Sequence, residues 1–191
     1  MEKMKEKFLR KYRLPEATFL EFLSHMTEHH YSKGEIIVRT GERNSNLYLI
    51  REGIWRAHYL VDGTETSLWF VTAGEVVFSS WGYVNNEPSM ATIESVNESS
   101  AYMISKADLE QLFSSSIQMA NFGRRIFEQE IVNVDNSTIA YGIPNAKERY
   151  LALLEANPEL LRDVPLKHLA SFLYITPQSL SRIRAGLRKK Q

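Results

Sequence analysis

The spacing of hydrophobic residues changes twice along the chain and divides the sequence into three regions. Up to about Tyr31, apolar residues such as Phe19 and Phe22 recur at three- and four-residue steps, which predicts helix. From Gly34 to about Ile104, the apolar residues fall in short runs rich in Val, Ile, Tyr and Trp, which predicts strands. The remainder returns to helical spacing, so a β-rich middle is expected between helical ends.

The middle region has the regularly spaced turn residues of an all-β domain. Asp62-Gly63 is a strong signal for a tight hairpin turn. Glycines separate the apolar runs at steps of roughly ten residues, as in sandwiches and barrels of short strands: Gly34, Gly41, Gly53, Gly63, Gly74 and Gly82. A β-roll, or jelly roll, is therefore predicted.

Two helices are predicted after the β-region. The segment "SKAD", Ser105–Asp108, resembles a capping box that opens a short helix to Phe113. A longer helix is expected at about 117–139, with apolar residues alternating at steps of three and four along one stripe: Ile117, Ala120, Phe127, Ile131 and Val134. This stripe fits two structures equally well, a face packed on the roll or the seam of a homodimer.

A break follows the long helix, because Gly142 and Pro144 interrupt the helical pattern. Asn145 can then cap the next helix. We therefore predict two domains, a sensor domain with the dimer helix over residues 1–140 and an all-α domain over residues 145–191. The expected fold class is α+β.

The stretch "LASFLYITPQSLSRIRAGLRKK" has the pattern of a helix-turn-helix. One helix is predicted at about 166–173. Thr176 is a suitable N-cap for the second helix, and Pro177 suits its first position. Tyr174 occupies the intervening turn, where glycine is usual because the backbone there is left-handed.

In the second helix, Leu180, Ile183 and Leu187 should face inward, which puts other residues on the outer face. Gln178, Ser181 and Arg182 are then predicted to contact base edges, since Gln pairs well with adenine and Arg with guanine. Further residues are better placed for phosphates: Lys167, Ser179, Arg184, Arg188, Lys189 and Lys190. The alternative is a helical hairpin with ordinary surface charge.

Charge supports a polyanionic partner for this end. The chain has 23 basic and 23 acidic residues, but six basic residues and no acid follow Asp163. The end therefore carries +6, and the preceding part carries 17 basic against 23 acidic residues, or −6. The chain has no cysteine and no apolar run long enough to span a bilayer, so a cytoplasmic protein without a membrane partner is expected.

This order of elements resembles the Crp/Fnr family of bacterial transcription regulators. "YSKGEIIVRTGERNSNLYLIREG" resembles the opening of a cyclic-nucleotide-binding roll. "NAKERYLALLEANPELLRDVPLKHLASFLYITPQSLSRIR" resembles the DNA-binding end of a branch common in the Bacteroidetes. The resemblance implies a homodimer built on the long helix that binds palindromic double-stranded DNA, with RNA polymerase and a small-molecule effector as further candidate partners.

The sequence differs from the family's cyclic-AMP binders at two positions of the nucleotide site. Those proteins bind the ribose with a Glu and the phosphate with an Arg. An ungapped alignment puts Ser79 and Ser89 at these positions and Phe78 at the position of a small glycine. Cyclic AMP is therefore not expected. Trp81 and Tyr83 either line a pocket for another effector or belong to the core.

Other classes of function fit less well. A cupin enzyme also uses a β-roll, but it needs clustered histidines for a metal, and this roll contains only His58. His25 and His29 would lie one turn apart on a helix, but no third ligand is evident, so no metal, other cofactor or catalytic residue is predicted. The remaining alternative is a ligand-sensing or protein-interaction module that does not bind DNA.

Overall fold

The computed structural model describes residues 1–188, apart from the side chains of Tyr141 and Arg188; Lys189 and Lys190 lie outside this range. The described chain contains these strands: β1 Thr27–Tyr31, β2 Ile36–Val38, β3 Leu47–Glu52, β4 Ile54–Val61, β5 Thr64–Thr72, β6 Val76–Phe78, β7 Thr92–Ser95 and β8 Ser99–Ile104. It contains these helices: α1 Glu2–Tyr12, α2 Glu16–Ser24, α3 Ser80–Asn85, α4 Lys106–Ser115, α5 Ile117–Tyr141, α6 Ala146–Ala156, α7 Pro158–Asp163, α8 Leu166–Phe172 and α9 Pro177–Arg188.

The strands form a β-sandwich of two four-stranded antiparallel sheets, which confirms the predicted β-roll. The strand orders are β1-β8-β3-β6 and β2-β7-β4-β5, so β5 is an edge strand that pairs only with β4. Asp62 and Gly63 join these two strands, and both have positive φ, at 48° and 74°, as the predicted two-residue hairpin turn requires.

The predicted helix up to Tyr31 is wrong beyond Ser24. Residues 27–31 form β1, which pairs with β8 from Thr27 opposite Met103 to Tyr31 opposite Ser99. The backbone ladder therefore overrides the local helical spacing. His25 follows the end of α2 and His29 lies on the strand, so the two histidines do not share a helical face. Among the described residues, no group of three or more potential metal ligands is found.

Helices α1, α2 and α5 pack on the outer face of the β1-β8-β3-β6 sheet and form an aromatic core there. Phe8, Phe22 and Phe122 are fully buried there, and the ring centroids of Phe22 and Phe122 lie 4.8 Å apart. Helix α4 approaches α5 so closely that a Cβ at Gly123 would lie 2.7 Å from the Phe113 ring. The first turn of α4 is capped as predicted, because the Ser105 hydroxyl accepts a hydrogen bond from the Asp108 N–H.

Helices α6 to α9 form a second apolar cluster after the break at Gly142. Asn145 caps α6 through a hydrogen bond from the Lys147 N–H, as predicted. Helices α8 and α9 pack together across a short turn around Leu169, Ala170 and Leu180, all fully buried. Within the described chain, no helix is both long enough and apolar enough to cross a membrane.

Candidate nucleic-acid interface

Helix α9 begins at Pro177, and its first turn is fixed by the preceding residue. The Thr176 hydroxyl accepts a hydrogen bond from the Ser179 N–H at 3.2 Å and donates one to the Ser179 hydroxyl at 3.0 Å. Tyr174 has φ = 54°, a left-handed conformation that costs a non-glycine residue about 1–2 kcal/mol. Packing of the helices on either side holds this turn, so the start of α9 is well defined.

The two faces of α9 differ as the sequence pattern predicted. Leu180 is fully buried and Ile183 packs against the same apolar cluster. Gln178, Ser181 and Arg182 are exposed on the other side of the helix. The structure therefore brings the three predicted base-reading side chains together on one accessible face.

The predicted phosphate contacts are less uniform. Lys167 is exposed near the start of α8, and Ser179 is half-buried beside its capping partner. Arg184 points inward instead, since its guanidinium donates to the Leu161 carbonyl at 2.7 Å and lies 5.9 Å from the centre of the Tyr150 ring. This position near the C-terminal end of α7 is favourable for a cation. Arg184 therefore supports the packing of α9, and its contact with phosphate stays a prediction.

Arg149 on α6 is a structural residue that the sequence analysis missed. Its guanidinium donates to the Leu173 carbonyl at 2.9 and 3.1 Å, to the Ile143 carbonyl at 2.6 Å and to the Pro144 carbonyl at 3.1 Å. One side chain thus joins the break after α5 to the turn before α9. Nothing in the sequence distinguishes it from an ordinary exposed helical arginine.

The candidate effector residues divide between two places. Phe78 and Tyr83 pack with Phe127 of α5, with all three ring-centroid distances between 5.3 and 5.5 Å. Trp81 packs instead against the apolar cluster between the two sheets. The predicted residues therefore belong to two apolar clusters, and their role in an effector pocket stays a prediction.

The two serines in this segment are buried and satisfied within the chain. The Ser79 hydroxyl accepts a hydrogen bond from the Gly82 N–H at 3.3 Å and caps α3. The Ser89 hydroxyl donates to the Ala91 carbonyl at 2.7 Å. Neither residue presents a charge, so their positions lack the groups with which an acidic phosphate would pair.

The predicted stripe on α5 is mostly open. Ile117, Ala120, Ile131 and Val134 are exposed, and Ile131 and Val134 retain 63% and 65% of their accessible surface. Phe127 departs from the prediction, because its ring packs on the roll as described above. The face that covers the roll is a neighbouring row, which includes the buried residues Met119, Phe122 and Ile126.

The C-terminal helices contact the roll through a mixed surface. Ile54 and Val96 of the roll belong to the same apolar cluster as these helices. Beside it lies the α8–β5 junction: Ser67 and Phe70 of β5 with Ser171 and Phe172 of α8. The Ser67 N–H donates to the Ser171 hydroxyl at 3.1 Å, and that hydroxyl lies 2.9 Å from the Ser67 hydroxyl. Phe70 and Phe172 meet edge to face at 5.2 Å. Sequence reasoning did not find these contacts.

Next to the junction lies a group of ionisable side chains, here called the Arg56 cluster: Arg56, His58, Glu65, Glu94 and His168. Arg56 is almost fully buried and pairs with Glu65 and Glu94, each at 2.6 Å. Both ring nitrogens of His58 lie 3.6 Å from a carboxylate oxygen, one from each glutamate. Nδ1 of His168 lies 3.3 Å from Glu65, so α8 also reaches this cluster.

The pKa values of Glu94 and His168 in this cluster are both lowered, which favours the ionised form of the glutamate and the uncharged form of the histidine. Burial alone would raise the pKa of Glu94, but His58 and Arg56 outweigh it and lower this pKa to about 2. For His168, burial lowers the pKa to about 4, and Arg56 and Lys167 add to the effect despite the nearby carboxylates. At neutral pH, the cluster therefore contains ionised glutamates and an uncharged His168.

Comparison with known proteins agrees with this architecture. Residues 28–116, from β1 to the start of α5, match the family model of the cyclic nucleotide-binding domain. The matched residues correspond to the β-roll together with α3 and α4. No curated protein matches the chain.

Similar solved structures extend the likeness beyond the roll. FixK2 from Bradyrhizobium japonicum has a TM-score of 0.74 at 20% identity, over 86% of this chain and 85% of its own. CLP from Xanthomonas campestris, described as a c-di-GMP responsive global regulator, gives 0.70 at 17% identity, over 92% and 93%. The Thermus thermophilus catabolite activator protein gives 0.56 at 20% identity, over 93% and 85%. These neighbours are Crp/Fnr-family regulators, and the likeness is one of fold.

Proposed function

We propose that this protein is a sequence-specific DNA-binding transcription regulator of the Crp/Fnr type. The observation that carries the proposal is the exposed row of Gln178, Ser181 and Arg182, presented by a helix whose opposite face is buried. A second helix of a helix-turn-helix enters the major groove and reads bases with such residues. The likeness to regulators over nearly the whole chain supports this assignment.

DNA binding is tested by selecting bound sequences from a random library of double-stranded DNA. Arg182→Ala should then weaken binding to the selected site by about 1–3 kcal/mol and relax the preference at one base position in each half-site. Lys167→Ala is the matched control, since a phosphate contact should weaken selected and scrambled DNA alike and lower the salt slope by about one per chain.

The two variants separate the competing functions. If no DNA is enriched by the wild-type protein, the ligand-sensing or protein-interaction alternative replaces the regulator. If Arg182→Ala weakens the selected and scrambled sites equally, the protein binds DNA but Arg182 does not read bases.

The regulator is proposed to act as a homodimer that pairs through the open row on α5. Exposed apolar residues along one helix are typical of a surface that another chain covers. Ile131→Glu should therefore yield monomers with weakened affinity for the palindromic site, as measured by sedimentation velocity and DNA titration. Val84→Glu, at an exposed apolar position on α3, is the control and should leave the dimer intact. A monomeric wild-type protein at micromolar concentration would refute the pairing.

Cyclic AMP is not proposed as the effector. The buried hydroxyls of Ser79 and Ser89 bond within the chain, and neither residue can neutralise a cyclic phosphate. The ring of Phe78, next to Ser79 in the sequence, packs with Tyr83 and Phe127. Regulation by a different effector, or without one, is consistent with this packing.

A further inference from the structure

The α8–β5 junction fixes the position of α8 along an edge strand. Strand β5 pairs only with β4, so outward-facing N–H groups on its free edge need another partner. Ser171 satisfies one of them, the Ser67 N–H, and the two hydroxyls meet at 2.9 Å. Because these hydrogen bonds are directional, α8 cannot slide along the strand without losing them.

The charges beneath the junction are paired from the roll side alone. Arg56 bonds to Glu65, Glu94 and the Ser67 hydroxyl, all residues of the roll. Withdrawal of α8 would therefore leave no charge of this cluster without a partner. His168 and Ser171 add contacts to a surface whose charges the roll already pairs, and Ile54 and Val96 are covered beside it.

Docking leaves the predicted reading face open. Helix α8 uses His168, Ser171 and Phe172 against the roll, whereas Gln178 and Arg182 of α9 remain exposed. The docked position is therefore compatible with the approach of a DNA major groove to α9.

The junction also relates α9 to the long helix. The N-terminal half of α5 is part of the aromatic core of the roll, through residues such as Phe122 and Ile126. Gly142 to Asn145 joins α5 to α6, and the hydrogen bonds of Arg149 to Ile143 and Pro144 leave Gly142 as the place where the angle between the two helices can change. Contact with β5 constrains this angle, because it ties α8 to the same roll that holds α5. The ion pair of Lys7 with Glu159 at 3.8 Å and the apolar contacts of Ile54 and Val96 act in the same direction.

We propose that the α8–β5 junction holds α9 in its DNA-binding position and so sets the spacing between the two half-sites that the dimer accepts. This inference rests on the proposed function. In a two-fold dimer, the separation of the recognition helices must match the distance between half-sites, about 34–36 Å for one helical turn. A junction that fixes each recognition helix relative to its own α5 would therefore determine spacing specificity.

The absence of cysteine from the sequence allows a clean test. In the variant Ser67→Cys/Ser171→Cys, the two sulfurs replace hydroxyls that lie 2.9 Å apart, and they must approach to about 2.05 Å to form a disulfide. Oxidation should lock the junction and reduction should release it, with mass spectrometry reporting the bond. Ser67→Cys alone, treated identically, controls for oxidation.

The readout is affinity for a series of selected palindromes whose central spacer is lengthened or shortened by single base pairs. The oxidised variant should bind the best spacer within about twofold of wild type and should lose at least about tenfold when the spacer changes by two base pairs. Ser171→Ala, which removes the cross-domain hydrogen bonds, should lose only about threefold over the same change. A general defect in folding would lower all affinities without widening this tolerance.

Two results would overturn the inference. Loss of DNA binding on oxidation would mean that the docked position is inhibitory, as expected if the β4–β5 hairpin blocks DNA across the cleft of about 530 Å³ between Thr64 and Pro177. Equal spacer tolerance in Ser171→Ala and wild type would mean that the junction does not set spacing. If the wild-type and reduced proteins bind no DNA, the proposed function itself fails, and the inference falls with it.

Discussion

Two helical elements attach to the same β-roll by different chemistry. Helix α5 is held by a dry aromatic core, in which Phe122 packs against Phe8 and Phe22. Helix α8 is held by hydroxyl and N–H groups of Ser67 and Ser171 above buried charges. Separating α5 would expose large apolar surfaces at about 25 cal/mol per Å². Separating α8 would expose the Phe70 and Phe172 rings and exchange hydrogen bonds with protein for hydrogen bonds with water, at about 0.5–1.5 kcal/mol each.

This difference suggests that the two attachments have different tasks. The aromatic attachment makes α5 and the roll a single folding unit. The attachment of α8 combines apolar contacts with hydrogen bonds, and the charges beside it are paired within the roll. The comparison therefore predicts large effects on global stability from the first region and smaller, pH-dependent effects from the second.

The largest effect is expected from Phe122→Ala. Removing a fully buried ring should leave a cavity in the aromatic core and lower the free energy of unfolding by about 3–5 kcal/mol. Urea denaturation followed by circular dichroism measures this change. Val84→Ala, at an exposed position on α3 outside this core and outside the row on α5, is the control and should change stability by less than about 0.5 kcal/mol. A loss below about 1 kcal/mol for Phe122→Ala would contradict the model of a tightly packed core.

A smaller effect is expected from acidification of the Arg56 cluster. The pKa of His168 is about 4 in the folded protein, against an ordinary value of 6.5. As the pH falls through this window, the unfolded chain takes up a proton that the folded chain refuses, so stability is lost. The loss attributable to His168 should reach at most about 3 kcal/mol.

His168→Gln isolates this contribution, since glutamine does not titrate. Unfolding free energies measured from pH 7 down to about 4 should fall more steeply for wild type than for the variant. Below the ordinary glutamate pKa of 4.5, the lowered pKa values of Glu65 and Glu94 add a loss that both proteins share. Parallel curves above that point would show that burial of uncharged His168 does not contribute.

Sequence patterns predicted the features that local chemistry controls. The cap at Thr176, the hairpin turn at Asp62-Gly63 and the break at Gly142 each depend on a few adjacent residues, and the structure confirms them. The helical assignment of residues 27–31 failed because this strand is defined by β8, more than 60 residues away in sequence. Its residues are mostly exposed and carry no alternation to reveal it.

For the candidate interface, the sequence predicted the exposed face of α9 but not its contacts with distant parts of the chain. The inward row of α9 follows from helical period, so the exposure of Gln178 and Arg182 could be read from sequence. The packing role of Arg184 could not be predicted from the sequence, because its partner Leu161 belongs to a different helix. The junction was invisible for the same reason, since Ser67 and Ser171 are 104 residues apart and neither is unusual by itself.

The guanidinium of Arg149 has a mechanical consequence for any swing of the C-terminal helices. It grips the carbonyls of Ile143 and Pro144 and, at the same time, that of Leu173. A change of backbone angle after Pro144 would break hydrogen bonds of Arg149, whereas a change at Gly142 preserves all of them. The hinge therefore lies at Gly142, at the end of α5. Helices α6 to α9 and the turn before α9 would rotate about it as one rigid body.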